Sequence, residues 1–213
     1  MLSTPDEQTL IQSARQGSVE AFNLLIARYE DFVFRIALRM LGDDDRAAEA
    51  AQMAWIAVFH NIHGLRGTQL RTWLARVAVN TCYDEIRREY RRREEPLLPL
   101  DHEGKEIDEV GWLTDPMPGV EEIVENREME RTIHACLQSL TPDHRSMLIL
   151  VDIEGLSYEE AAVAAGVPVG TVRSRLARAR LAMRTRLQQS IDVAPSSPRL
   201  GFPSSCQTGL RYS

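Results

Sequence analysis

Two sets of residues in this sequence carry side chains suited to holding a polyanion. In the first, Arg76, Asn80, Tyr83 and Arg87 recur at helical spacing and share one polar face, and Arg88, Arg91, Arg92 and Arg93 extend the positive charge beyond it. Cations for phosphates, a ring for a base and an amide for a base edge are what the binding of unpaired nucleotides requires. In the second, Arg173, Arg175, Arg178, Arg180, Arg184 and Arg186 fall in a stretch, residues 161–191, that no acidic residue interrupts. There Ser174 lies opposite the apolar stripe Val172, Leu176, Ala179 and Met183, with Thr171 and Arg178 on one side of it and Arg173 and Ala177 on the other. A helix of this kind can enter a major groove with its N-terminal part at the base edges while Arg175, Arg180, Arg184 and Arg186 reach phosphates. A merely solvated arginine face has a similar composition, so position has to decide, and six arginines without a compensating acid do not suit a helix packed inside a bundle.

Covalent and metal chemistry find no comparable support. Cys82, Cys136 and Cys206 form no CxxC pair, and His134 and Cys136, two apart, point to different faces of a helix. No nucleophile–base pattern or glycine-rich phosphate loop occurs, so no catalytic residue, metal or cofactor is expected and the chain reads as a non-enzyme. The longest aliphatic run, Met147 to Val151, is far short of the ~20 residues of a membrane span, and the start MLSTPDEQTL lacks the basic and apolar segments of a secretory leader. No membrane insertion and a cytoplasmic location are expected. The net charge of −6 hides segregation: residues 1–65 carry −4, 66–93 carry +5, 94–160 carry −14 and 161–213 carry +7. Two basic segments separated by an acidic one suggest two contacts with a polyanion joined by a piece that is repelled from it.

The elements that must position these residues are helical. Phe22, Leu25, Ile26, Phe32, Val33, Ile36, Ala37 and Met40 trace one stripe of a long helix that Gly42 stops. Asp43, Asp44 and Asp45 suit the start of an alanine-rich helix reaching about Asn61. Thr68 is the expected N-cap of a third helix, whose apolar stripe is Leu70, Trp73, Leu74, Val77, Ala78, Thr81 and Cys82. A helix ending near Leu140 carries Met129, Ile133, Cys136, Leu137 and Leu140 on one side. Thr141-Pro142-Asp143 opens the next helix, which Gly155 ends; Ser157 with Glu160 is a capping box, Gly166 makes a turn, and Pro168 starts the last helix. That closing pattern is a helix-turn-helix. The expected class is all-α, with two small helical domains, residues 1–93 and 121–187, joined by an acidic proline-containing linker, residues 94–120. Residues 188–213, rich in Ser, Pro and Gly, read as a disordered tail.

Three segments, GSVEAFNLLIARYEDFVFRIALRML, LRGTQLRTWLARVAVNTCYDEIRREYRRR and LTPDHRSMLILVDIEGLSYEEAAVAAGVPVGTVRSRLARARLAMRTRL, together resemble regions 2 and 4 of the extracytoplasmic-function sigma factors of bacterial RNA polymerase. The likeness runs from residue 17 to 187. It implies a subunit that binds core RNA polymerase and promoter DNA and helps to open the promoter. Region 2 of such proteins docks on the polymerase and captures −10 bases, which maps onto Arg76, Asn80, Tyr83, Arg87 and Arg88. Region 4 reads the −35 element, which maps onto Thr171, Arg173, Ser174, Arg175, Ala177 and Arg178. Polymerase binding maps onto Glu49, Gln52 and Met53, where Met53 departs from the acidic residue often found there. Val151 stands where relatives often have arginine, and the loop before Trp73 is about one residue short. The resemblance further implies an anti-sigma partner, and a linker whose acidity suits mimicry of nucleic acid in the polymerase channel. A helix-turn-helix repressor or response-regulator output module would need a receiver or ligand domain, and residues 1–93 show no βαβ alternation.

Overall fold

The computed structural model describes residues 6–65, 69–94 and 131–193, and every regular element among them is helical. A first helix, α1 (Glu7–Arg15), escapes the stripe analysis because only Leu10, Ile11 and Ala14 bury in it. Nine residues are too few to hold a helix alone, and α1 is sustained by its packing on the next helix and by a hydrogen bond from the Tyr29 hydroxyl to Glu7. That neighbour, α2 (Val19–Leu41), starts at the Ser18 cap, whose hydroxyl accepts from Ala21 N at 3.2 Å. It ends at Gly42 in the left-handed conformation, φ 79°.

Asp43 caps α3 (Asp44–Asn61) by accepting from Arg46 N at 2.8 Å, and Asp44 and Asp45 meet the positive end of the helix dipole. The buried side of α3 is Ala47, Ala50, Ala51, Ala54 and Val58, small residues that let α2 and α4 approach closely. A short 3₁₀ turn, Ile62–Gly64, follows. Helix α4 runs over Leu70–Glu94, while its expected cap Thr68 lies outside the described residues.

In the second group, α5 covers residues 131–138, with Cys136, Leu137 and Leu140 buried. Ile133, expected on that stripe, is exposed, and Met129 lies outside the described residues. Thr141 accepts from His144 N to cap α6 (Pro142–Met147). The helix then widens into a π-helical turn, Leu148–Ile153, that Gly155 ends at φ 70°. The capping box at α7 (Tyr158–Ala165) forms in both directions: Ser157 N donates to Glu160 Oε2 at 2.8 Å, and Glu160 N to Ser157 Oγ at 3.1 Å. After Gly166, φ 67°, comes α8 (Val169–Val193). It continues past residue 187, where the tail was expected to begin, because no breaker precedes Pro195. The expected linker, residues 94–120, and the tail from 194 onward lie almost wholly outside the described residues.

The two helical groups share one continuous apolar core. This explains α4, which is buried over more than one stripe. Leu70, Leu74, Ala78 and Cys82 are buried, as their stripe requires, but Thr72, Ala75 and Val79 are equally buried, and α4 packs against α7 as well as α2 and α3. Trp73, Val77 and Thr81, assigned to the stripe, are only half-buried.

Arg145 locks the groups together. Its guanidinium donates to the carbonyl of Met40 in the last turn of α2, to Gln138 Oε1, and to the carbonyls of Leu137 and Gln138 at the end of α5 and of Leu140 just past it. Burial lowers its pKa, although its charge sits among the partial negative charges of two helix C-termini. Gln138 in turn donates to Arg39 O at 3.0 Å and lies over Gly42, where an added Cβ would come within 2.5 Å of its Cδ. Gly42→Ala is therefore expected to lower the unfolding midpoint by the equivalent of about 1–2 kcal/mol, through positive φ and collision together. Thermal melts of Gly42→Ala with and without Gln138→Ala separate the two: the second substitution should recover only the collision, and full recovery would exclude backbone strain.

Candidate nucleic-acid interface

Helix α4 presents Arg76, Asn80 and Arg87 to solvent on one face, as their spacing requires. Arg87 and Arg88 are tethered along the helix, to Asp84 at 3.0 Å and Glu85 at 2.6 Å. Both pairs are of the weak i,i+3 kind and both arginines are exposed, so each can swap its carboxylate for a phosphate. Tyr83 departs from the expected face. It is half-buried against the second group, its hydroxyl 3.0 Å from Asp143 Oδ1, 3.0 Å from Ser146 Oγ and 3.4 Å from the Pro142 carbonyl. Burial, with the Asp143 carboxylate adding to it, pushes its phenol pKa up to about 12.

On α8 the buried stripe forms through Val172, Leu176 and Ala179, with Met183 at its half-buried end. Arg173, Ser174, Ala177 and Arg178 consequently face outward, and Thr171 lies half-buried beside them. The Ser174 hydroxyl donates back to Thr171 O at 3.1 Å. Contrary to expectation, Arg175 and Arg180 are compensated. Arg175 pairs with Asp143 Oδ2 at 2.7 Å, and Arg180 makes a two-point contact with Asp152 at 2.9 and 2.6 Å. The acids come from α6 and its π-helical turn, so a search of α8's own neighbourhood in sequence could not find them.

A third surface lies on α3. Glu49, Gln52 and Met53 are exposed, on the side away from the alanines, and Ile56 and Phe59 continue the same ridge. About half of the Phe59 side chain is exposed, while the edge of its ring packs on Phe22 at a centroid distance of 5.1 Å. Sequence reasoning missed Ile56 and Phe59. Their signal was a second apolar stripe at i, i+3 and i+6 from Met53, opposite the alanine face. Val151, in place of an arginine, is partly buried against the core and offers no polar contact at the surface. The loop before Trp73 falls on residues 66–68, outside the described residues. Among the described residues no cluster of His, Cys, Asp and Glu could hold a metal ion, and no helix is long and apolar enough to cross a membrane.

These features define an all-helical protein with a basic, aromatic-bearing helix in its first half and a helix-turn-helix in its second. Family models for Sigma-70 region 2 and for Sigma-70, region 4 match residues 25–92 and 130–183. The RNA polymerase sigma-H factor of Pseudomonas aeruginosa is 34% identical over 195 residues, spanning 91% of this chain and 100% of the relative. The ECF RNA polymerase sigma-E factor of Escherichia coli strain K12 is 33% identical over 186 residues, spanning 87% of this chain and 96% of the relative. The fold is shared with CnrH, solved in complex with the cytosolic domain of CnrY: TM-score 0.62 at 21% identity, over 86% of this chain and 97% of that one. It is shared too with the Bartonella quintana sigma factor RpoE, solved with the anti-sigma factor NepR: TM-score 0.60 at 22% identity, over 80% and 98%. The chain belongs to the extracytoplasmic-function sigma factors of bacterial RNA polymerase.

The phenols offer a direct check on the geometry. Tyr29 and Tyr83 are both raised from 10.0 to about 12, so each binds its proton more tightly folded than unfolded. Their contribution to stability is full below pH 10 and is lost as pH rises toward 12. In an absorbance titration of tyrosinate, Tyr83→Phe and Tyr29→Phe should each remove one late-titrating phenol; loss of an early one would contradict the burial described.

Proposed function

We propose that this sigma factor binds core RNA polymerase through the α3 ridge, reads promoter DNA with its two basic helices and assists strand opening. The α3 contact comprises Glu49, Gln52, Met53, Ile56 and Phe59. Arg76, Asn80, Tyr83, Arg87 and Arg88 take the −10 element, and Thr171, Arg173, Ser174, Arg175, Ala177 and Arg178 the −35 element. The observation that carries the reading is the outward display of Arg173, Ser174, Ala177 and Arg178 on the second helix of a helix-turn-helix whose apolar stripe is seated in the core. The role is one of binding, without a catalytic step of its own, and is exercised in the cytoplasm where the polymerase works. An anti-sigma partner is part of the proposal, supported by the two structural neighbours solved with such partners or with a second protein's cytosolic domain.

The test is to mix purified chain with core polymerase, follow co-elution, and transcribe a promoter library with core alone as control. New sequence-specific starts are expected; DNA binding without co-elution would leave a free-standing helix-turn-helix regulator. Within the holoenzyme, Arg178→Ala should weaken the cognate −35 contact by about 1–3 kcal/mol if it pairs with a guanine, and equal loss on all sequences would make it a phosphate contact. Asn80→Ala should leave −35 duplex binding intact while reducing permanganate reactivity of the melted strand.

A further inference from the structure

Resting on that reading, we infer that Arg180 is a positioning residue and not a phosphate contact: gripped at two points by Asp152, it fixes the roll of α8 and so decides which base edges Ser174 and Arg178 meet. Its place in an acid-free stretch of sequence suggests a hand on the DNA backbone, but the fold closes it on a carboxylate from another element.

At 100° per residue, Arg175 and Arg180 lie on opposite edges of the buried stripe Val172, Leu176 and Ala179, each about 70° from its middle, while Ser174 lies nearly opposite that stripe. Both edges are tied to the segment that runs from α6 into the π-helical turn, through Asp143 on one side and Asp152 on the other. The two ties differ in kind. Asp143 is half-exposed and meets Arg175 with one oxygen, at 2.7 Å. Asp152 accepts from Nε and Nη2 of Arg180 at 2.9 and 2.6 Å, the parallel arrangement in which a carboxylate matches a guanidinium. That hydrogen bonding raises the guanidinium pKa, and the Tyr158 side chain at the start of α7 adds to it. Arg180 thus joins the π-helical turn, α7 and α8 at one point.

Roll is what such a contact controls. Apolar burial is non-directional, so the stripe decides which side of α8 faces inward without fixing the last degrees of rotation. On a helix whose side chains reach about 5–6 Å from the axis, a roll of about 10° shifts their ends by roughly 1 Å, enough to break a base-edge hydrogen bond. Arg173, Arg178 and Arg184 are exposed and have no carboxylate partner among the described residues, so DNA reaches them with nothing to displace. When DNA claims Arg175 as well, the Asp152 contact is the tie that remains.

The experiment uses holoenzyme of the full chain with Escherichia coli core polymerase. Duplex promoter DNA carries either the −35 sequence selected by wild type or that sequence scrambled, and affinities of closed complexes are measured at low temperature from about 50 to about 200 mM salt. Arg180→Gln and Asp152→Asn should each lower the cognate-to-scrambled ratio by about three- to fivefold, and the double variant should lose no more than either alone, because all three break one contact. Arg180→Lys, which keeps the charge but not the two-point fit, should follow Arg180→Gln. The ratio of wild-type to Arg180→Gln affinity should stay constant with salt, whereas loss of one phosphate contact would change it about threefold over that range. In the promoter library the variants should accept −35 bases that wild type rejects. A salt-dependent ratio with equal loss on both DNAs would make Arg180 a phosphate contact and overturn the proposal. Reduced transcription with unchanged base preferences would overturn it too, by showing structural damage alone. If wild-type holoenzyme prefers no −35 sequence, the promoter reading itself has failed, and the positioning role falls with it.

Discussion

A buried guanidinium without a carboxylate is the constraint from which the rest of the arrangement follows. Arg145 is 8% exposed, and all its described partners are uncharged oxygens. Such a charge is tolerable only where dipoles converge, and the last turns of α2 and α5 supply them. Because the Met40 carbonyl belongs to the first half and Leu137, Gln138 and Leu140 to the second, satisfying one side chain fixes the separation and angle of the halves. Gly42 must lie flat beneath Gln138 for this to happen, and Asp43 must begin α3 at once. The turn after α2, the start of α3 and the junction between halves thus form one problem with one solution.

The π-helical turn is the second determinant. An extra residue per turn between Leu148 and Ile153 keeps Leu148, Ile149 and Leu150 buried together and delivers Glu154 toward α2. With ordinary α geometry throughout, the side chains after Met147 would emerge in different directions, and Glu154 would not meet Arg35 and Arg39. π-Turns of this kind often occur at functional sites, where a helix needs a side chain that its regular repeat cannot place.

Much of the fold is legible in the sequence because its signals are local. Ser157 with Glu160, Thr141 before Pro142, and the glycines at 42, 155 and 166 each encode a cap or a turn within four residues, and each forms. The face of Arg173, Ser174, Ala177 and Arg178 is equally local, being set by Val172, Leu176 and Ala179. What stays hidden depends on partners distant in the chain. Tyr83 looks like a member of an exposed face until Asp143, sixty positions on, claims its hydroxyl. Arg175 and Arg180 look uncompensated until Asp143 and Asp152 arrive from α6 and the turn beyond it. Helix α1 is invisible for a related reason: three apolar residues make a helix only when α2 is there to cover them.

The acidity of the second half gains a physical role from this geometry. A chain that must bind DNA at two places and still have a negative net charge cannot place its acids at random. Asp143, Glu154 and Glu160 sit where basic or hydroxyl-bearing residues of the first half come closest. Glu154 pairs with Arg35 and Arg39 of α2, while Asp143 and Glu160 accept from the Tyr83 and Thr72 hydroxyls of α4. The overall charge of −6 opposes duplex binding by the free chain, and only the local basic faces of α4 and α8 attract it.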